Sequence, residues 1–343
     1  MKKTASRIGY FLLALTLAVA LSACANHSAS QPGTQDQSAA NQKDQELTIA
    51  LDWYPNAVHS FLYAAEEQGY FKQEHVKVNL QMPSDANDPL KMAAAGQVDA
   101  AISYQSQMIQ ARSEGVPVVS IAGLVYSPLN VLMVRKDSGI HSPKDLAGKT
   151  VGYPSVPLDE EIVKQMVKAD GGDDSQIKFV DIGYDIIPSL TAKKVDAVIG
   201  GFINHEQLIL EKNGVAVTAF APHKYGVPNF SELVLATSDQ TLSQKQQALQ
   251  AFLRAAQKGQ EYVAKHKEQS IDLLLNKQAK EFPLDKTIEN KSLDILLPLM
   301  DAGGKPFGTQ DPNSWQQAAE WMKQVGLIKT DVPVDQVMHN LTP

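Results

Sequence analysis

The stretch Leu51 to Phe71, LDWYPNAVHSFLYAAEEQGYF, crowds five chemically capable side chains into one corner: Asp52, Trp53, Tyr54, Asn56 and His59. A carboxylate here either accepts from an amine or caps the loop. Two adjacent aromatic residues exceed what a turn needs, which Gly, Asn, Asp or Ser would serve. One ring can cover a sheet edge, but the pair points to at least one flat π surface facing a cleft, worth about 0.5 to 1.5 kcal/mol beyond its buried area when it stacks. His59 falls in the first turn of the following helix, where backbone dipoles disfavour imidazolium. It is either a ring able to donate or accept at a site or a solvent-exposed or capping histidine.

A second group lies near residue 200. The run Ile199-Gly200-Gly201-Phe202-Ile203-Asn204-His205-Glu206 leaves a buried strand through two glycines, which permit close backbone approach, and delivers an aromatic ring, an amide and a carboxylate to a helix start. Glu206 either contacts a ligand or compensates the helix dipole. Tyr104 follows an equivalent strand, and Tyr153-Pro154-Ser155 is either a plain turn or a hydroxyl rim. No Arg or Lys accompanies these residues, although a pocket for sulfonate, nitrate or phosphate would want one. A small aromatic nitrogen compound, neutral or cationic, fits better.

Such residues need strand ends to hold them. Leu47–Leu51 reads as a central strand, Asn56 as an N-cap and Gly69 as the residue beyond the helix end. In open α/β sheets, ligands sit at the carboxyl ends of strands. One pattern occurs twice, Ala94-Ala95-Gly96-Gln97-Val98-Asp99-Ala100-Ala101-Ile102 and Thr191-Ala192-Lys193-Lys194-Val195-Asp196-Ala197-Val198-Ile199, each preceded by a strand and helix. This predicts two α/β lobes of one design with mostly parallel sheets. The apolar runs Val131–Val134 and Leu233–Ala236 are taken as strands crossing between lobes. The division is then 47–135 for the first part of lobe I, 136–231 for lobe II and 232–343 for a helical return to lobe I. Trp315 and Trp321, at helical spacing, are assigned to packing.

The chain has 343 residues, 43% hydrophobic residues, a net charge of −7 and no basic stripe, which excludes nucleic acid as a partner. Lys2, Lys3 and Arg7 precede a short apolar run ending in Leu21-Ser22-Ala23-Cys24, so residues 1–23 read as a secretory signal with a lipobox. Cys24, the single cysteine, is expected to carry a lipid to the extracytoplasmic membrane face, with residues 24–46 as a flexible tether. The eight histidines are scattered without metal-ligand spacing, and no phosphate loop or nucleophile motif is present. No metal or cofactor is expected, and the protein is expected to act as a monomer.

Leu51-Asp52-Trp53-Tyr54-Pro55-Asn56 with His59, Gly69-Tyr70-Phe71-Lys72, Asp99–Ile102, Asp145–Gly152 and Phe307-Gly308 to Trp315 together resemble the periplasmic-binding-protein-like group related to thiamine-pyrimidine synthesis. The resemblance covers nearly all of the chain after the tether, and Asp52–Asn56 is its most specific part. It implies a two-lobed type II periplasmic-binding-protein-like α/β fold. It further implies a non-enzymatic substrate-binding lipoprotein of an ABC importer, working with permease and ATPase subunits. The implied ligand is a thiamine-derived pyrimidine such as formylaminopyrimidine or hydroxymethylpyrimidine. Trp53, Asn56, His59, Tyr104 and Glu206 match site-lining positions; Asp52, Tyr54, Tyr153, Phe202 and Asn204 rest on the strand-end argument. The group also contains binders of riboflavin-like compounds and sulfonates. Its fungal enzymes make the pyrimidine from pyridoxal phosphate and their own histidine; His59 aligns with that histidine, but their cysteine cluster is missing here.

Overall fold

A computed structural model describes residues 43–341. The lipobox, Cys24 and the tether up to residue 42 lie outside the described residues. The tether ends two residues earlier than expected, because Gln45 already pairs with Val76 at the start of a strand.

The described residues form two five-stranded sheets. The first contains β1 (Gln45–Ala50), β2 (Val76–Gln81), β3 (Ala100–Ser103) and β4 (Val118–Val125), joined late in the chain by β10 (Leu233–Ser238), in the order β2-β1-β3-β10-β4. The second contains β5 (Asn130–Arg135), β6 (Thr150–Tyr153), β7 (Lys178–Asp181), β8 (Ala197–Phe202) and β9 (Val217–Phe220), in the order β7-β6-β8-β5-β9. Three neighbouring strands are parallel in each sheet, and β10 or β5 runs antiparallel to both its neighbours. The two lobes therefore repeat one topology.

The repeated Val-Asp-Ala motif has a physical role in that topology. Asp99 accepts the Thr48 N–H at 2.9 Å, and Asp196 accepts the Thr150 N–H at 2.8 Å. Each aspartate thus anchors the helix-to-strand turn to the neighbouring parallel strand of its lobe.

The first lobe boundary differs from the expected one at residue 135. Val131–Val134 belongs to β5, in the second sheet, so the crossing is the segment 126–129 rather than the strand itself. The return crossing is the segment 221–232 between β9 and β10. An apolar run marks an interior strand but carries no information about which of two equivalent sheets receives it. Each crossing feeds an edge strand of one sheet into the interior of the other.

Among the described residues twelve α-helices clothe the sheets: α1 (Ser60–Glu67), α2 (Tyr70–Gln73), α3 (Asp88–Ala94), α4 (Gln105–Ser113), α5 (Pro157–Ala169), α6 (Ile186–Thr191), α7 (Glu206–Lys212), α8 (Asp239–Lys265), α9 (Lys267–Lys277), α10 (Lys286–Leu299), α11 (Pro312–Gln324) and α12 (Val334–Val337). The helix α8 lies against α1 so closely that a Cβ on Gly259 would sit 2.1 Å from the Phe61 carbonyl oxygen. Only glycine allows that crossing. Trp315 is fully buried on α11, as its helical spacing predicted, and Trp321 packs edge-on against Phe230 at 5.6 Å. No helix among the described residues is long and apolar enough to cross a membrane.

Candidate functional site

The carboxyl ends of β1, β3 and β8 converge on one cleft between the lobes. Asp52, Trp53, Asn56, Tyr104, Phe202, Asn204 and Glu206 all line it, as their places at strand ends predicted. The wall is completed by residues that sequence reasoning passed over, chiefly Asn130, Asp159, Phe230 and Glu232.

Asn56 caps the turn that follows it. Its Oδ1 accepts the Val58 N–H at 3.1 Å and its Nδ2 donates to the Tyr54 carbonyl at 3.2 Å. His59 closes the same turn from behind the cleft. Its Nδ1 accepts the Asn56 backbone N–H at 3.2 Å, so the ring hydrogen sits on Nε2 and donates to Asp52 Oδ1 at 2.9 Å. His59 is fully buried and does not line the cleft; it positions Asp52.

Two further expected contacts move out of the wall. Tyr54 stacks on Phe282, with centroids 4.4 Å apart and planes within 2°, and the side chain turns into a packed aromatic cluster instead of the cavity. Tyr153 is half-buried outside the cleft, because the backbone reverses at Ser155 (φ +59°), whose N–H and hydroxyl both donate to Asp181 Oδ1. That segment is the turn and not the hydroxyl rim; only Pro154 of it reaches the cleft.

The lobes touch across the mouth. Tyr184 of lobe II donates its hydroxyl to the Pro83 carbonyl of lobe I at 2.9 Å and presents its ring edge to Trp53 at 4.3 Å. Below it, Asn204 Nδ2 donates to Ser292 Oγ on α10 at 2.9 Å. His205 lies between two carboxylates, 2.7 Å from Glu206 Oε1 and 3.7 Å from Glu289 Oε1 on α10. Glu289 Oε2 in turn accepts the Ala57 N–H at 2.8 Å.

A match to the NMT1/THI5-like family spans residues 56–270, well over half of the chain. The formylaminopyrimidine-binding protein of Halalkalibacterium halodurans is 40% identical over 86% of this chain and 90% of its own length. The chain belongs to the NMT1/THI5-like family. A more distant relative, 28% identical over 86% of this chain and 91% of its own, is the 4-amino-5-hydroxymethyl-2-methylpyrimidine phosphate synthase of Legionella pneumophila. Among solved structures, the alkanesulfonate-binding protein SsuA from Xanthomonas axonopodis pv. citri superposes with a TM-score of 0.68 over 88% of this chain and all of its own, at 13% identity. That likeness is one of fold, the periplasmic-binding-protein fold.

The NMT1/THI5-like cleft of this chain is acidic. Among the described residues, the carboxyls of Asp52, Asp159, Glu206 and Glu232 line it and no Lys or Arg does. Glu206 is satisfied from both sides: Oε2 accepts the Phe202 N–H at 2.9 Å and Oε1 faces His205. Burial works against its charge, but His205 and the backbone donors hold its pKa below the ordinary glutamate value. Burial likewise works against the His205 charge, and the Glu206 and Glu289 carboxylates outweigh it and raise the His205 pKa. Glu289 itself is pushed up by burial.

Asp159 and Glu232 lack any such cation. Gly200 donates its N–H to Asn130 Oδ1 at 2.8 Å, which fixes the amide so that Asn130 Nδ2 donates to Asp159 Oδ1 at 3.0 Å. Glu232 Oε2 accepts the N–H groups of Leu129, at 2.5 Å, and Asn130, at 2.9 Å. Burial pushes both carboxyls up to about 7 against these donors, with Glu232 adding to the rise at Asp159 and Asp52 to that at Glu232. Gly200 sits at φ +87°, and a Cβ there would meet Pro154 at 2.4 Å and Asp159 Oδ2 at 3.2 Å, so this corner of the wall requires glycine. The faint signals were Asp159 two residues after the helix-opening Pro157 and Glu232 next to an apolar run, both indistinguishable from ordinary helix-start and loop acids.

Proposed function

We propose that the protein captures a thiamine-derived aminopyrimidine, of the formylaminopyrimidine or hydroxymethylpyrimidine kind, as the extracytoplasmic binding subunit of an ABC importer. The observation that carries this reading is a closed cleft lined by four carboxyls and the rings of Trp53, Tyr104, Phe202 and Phe230, with no Lys or Arg among the described residues and its one imidazole, His205, already held between Glu206 and Glu289. A buried acidic wall needs a ligand that brings hydrogen-bond donors or positive charge, and the rings favour a flat one. The 40% identity to a formylaminopyrimidine-binding protein supports the same ligand class. A sulfonate would face four carboxyls with no Lys or Arg and with His205 already paired to Glu206 and Glu289, which disfavours it.

The action is capture without chemistry. The ligand stabilises the closed arrangement by binding it better than an open one, and the closed form is presented to the permease. Micromolar affinity requires about −8 kcal/mol net, within reach of stacking rings and a few charge-assisted hydrogen bonds. In this reading Cys24 carries the lipid, residues after it tether the binding unit to the membrane face, and the protein works as a monomer. Asp52, Trp53, Tyr104, Phe202, Asn204 and Glu206 contact or frame the ligand.

A thermal-shift panel tests the reading. With formylaminopyrimidine, hydroxymethylpyrimidine, riboflavin, pyridoxal phosphate and taurine, the expected result is a rise in Tm with the two pyrimidines alone, growing with concentration above Kd. A shift with taurine or riboflavin alone would discard the ligand class while keeping the importer. A shift with pyridoxal phosphate would reopen an enzyme.

A further inference from the structure

Three of the four cleft carboxyls have one oxygen committed as an acceptor and the other without a protein partner among the described residues. Asp52 Oδ1 takes the His59 hydrogen, Asp159 Oδ1 the Asn130 amide and Glu232 Oε2 two backbone N–H groups. Glu206 has both oxygens engaged. The groups left to read a ligand are therefore Asp52 Oδ2, Asp159 Oδ2 and Glu232 Oε1. Only the Asp52 pair has an imidazole behind it; Asp159 and Glu232 face the same enclosed space with amide and backbone donors alone. Besides each other they face Asp52, Glu206 with His205, and the Tyr104 phenol.

We propose that Asp159 and Glu232 are the specificity-determining pair of this cleft, their two free oxygens addressing the donor and acceptor edge of an amino-substituted nitrogen ring. The assignment rests on the aminopyrimidine reading above. An exocyclic amino group offers N–H donors, and the neighbouring ring nitrogen offers a lone pair. Two ionised carboxylates could satisfy only the first. Two uncompensated carboxylates buried in one cavity also repel, so the pair retains a proton. The committed oxygens accept from donors whose polarity is fixed, which leaves that proton on a cavity-facing oxygen. One carboxyl then donates to the ring nitrogen while the other accepts from the amino group. Both groups hold their protons up to about 7, which places the change in binding within reach of ordinary buffers.

The consequence is a proton-linked affinity with a defined sign. At low pH both carboxyls are protonated and binding must release one proton, so affinity is greatest near pH 7 and falls toward acid. Above about pH 7 the empty cleft has lost it and binding must take it up, so Kd rises by up to tenfold per pH unit.

The test uses calorimetry on the purified protein from pH 5.5 to 8.5, with 4-amino-5-hydroxymethyl-2-methylpyrimidine and its analogue lacking the 4-amino group. Wild type is expected to prefer the amino compound by about 100-fold or more and to show the alkaline loss with uptake of one proton. Asp159→Asn, whose amide imitates the protonated acid, is expected to lose the alkaline fall while keeping affinity within about tenfold of the wild-type maximum. Asp159→Ala is expected to shrink the preference to below about tenfold. A pH-independent wild type, or an Asp159→Ala protein that folds and keeps the full preference, overturns the assignment and leaves the aminopyrimidine reading standing. A wild type that binds neither compound overturns both. Because the pH profile and the amino preference are read on wild type, a variant that fails to fold does not rescue the proposal.

Discussion

Each lobe pairs a cleft carboxylate with a histidine, and the two pairs are built in opposite ways. In lobe I, His59 and Asp52 are seven residues apart and close a single turn, so the 2.9 Å contact exists whatever the other lobe does. In lobe II, His205 and Glu206 are adjacent, 2.7 Å apart, but the far side of the imidazole meets Glu289 of lobe I. The first pair fixes the shape of a loop. The second is completed only when the lobes meet, so it bears on closure. Similar chemistry at two strand ends that the repeat does not equate, those of β1 and β8, therefore serves local order in one lobe and communication between lobes in the other.

The comparison breaks most visibly at His59. His59→Ala leaves the Asp52 carboxyl buried without its donor and the Asn56 N–H without its acceptor, and stability is expected to fall by about 3 kcal/mol or more. Circular-dichroism melts of ligand-free protein check this; a Tm unchanged within about 2 °C would mean that the pair does not hold the loop.

The next effect is the pH dependence of the empty protein. Asp159 and Glu232 bind protons up to about 7 when folded, whereas ordinary carboxyls release them near 4. The folded state thus holds more protons between those values, so stability falls as pH rises through that window. His205, with its raised pKa, contributes in the same sense, its share being lost as pH climbs through its folded value. Glu206, with its lowered pKa, contributes oppositely, its share being lost in acid. Ligand-free Tm is expected to peak near pH 5 and to decline toward pH 8 by an amount worth about 2 kcal/mol, in a chemical-denaturation series. A rise over that range would contradict the uncompensated carboxyls.

The smallest effect should sharpen the comparison. Glu289→Gln keeps an acceptor for Ala57 but removes the charge facing His205. Affinity for the pyrimidine is expected to drop about tenfold, roughly 1.4 kcal/mol, with ligand-free Tm nearly unchanged. The reverse pattern, lower Tm with intact affinity, would make the lobe II pair as local as that of lobe I.

The repeat and the strand ends were legible in the chain because they rest on local pattern. Val-Asp-Ala recurs with its aspartate in the same hydrogen bond, and Asn56 caps the turn its position predicted. The placement of Trp53, Tyr104, Phe202, Asn204 and Glu206 followed from where strands end. Glu206, the sharpest candidate by sequence, lines the cleft with both oxygens already engaged, a state that neighbouring residues alone do not reveal. Asp159, Asn130 and Glu232 escaped notice because their importance depends on two lobes and two crossings coming together over separations of 29 to 103 residues. The same limit misplaced Val131–Val134, since hydrophobic periodicity reports burial and not the identity of the neighbouring sheet.

Glu232 belongs to one crossing and is bonded to the backbone of the other, so it clasps together the two segments that join the lobes. A ligand atom touching that carboxyl acts at almost no lever arm. Rotation about the two crossings would move Tyr184, at the rim, farther than any atom beside Glu232. A molecule too small to span the cleft can in this way set the position of the whole mouth.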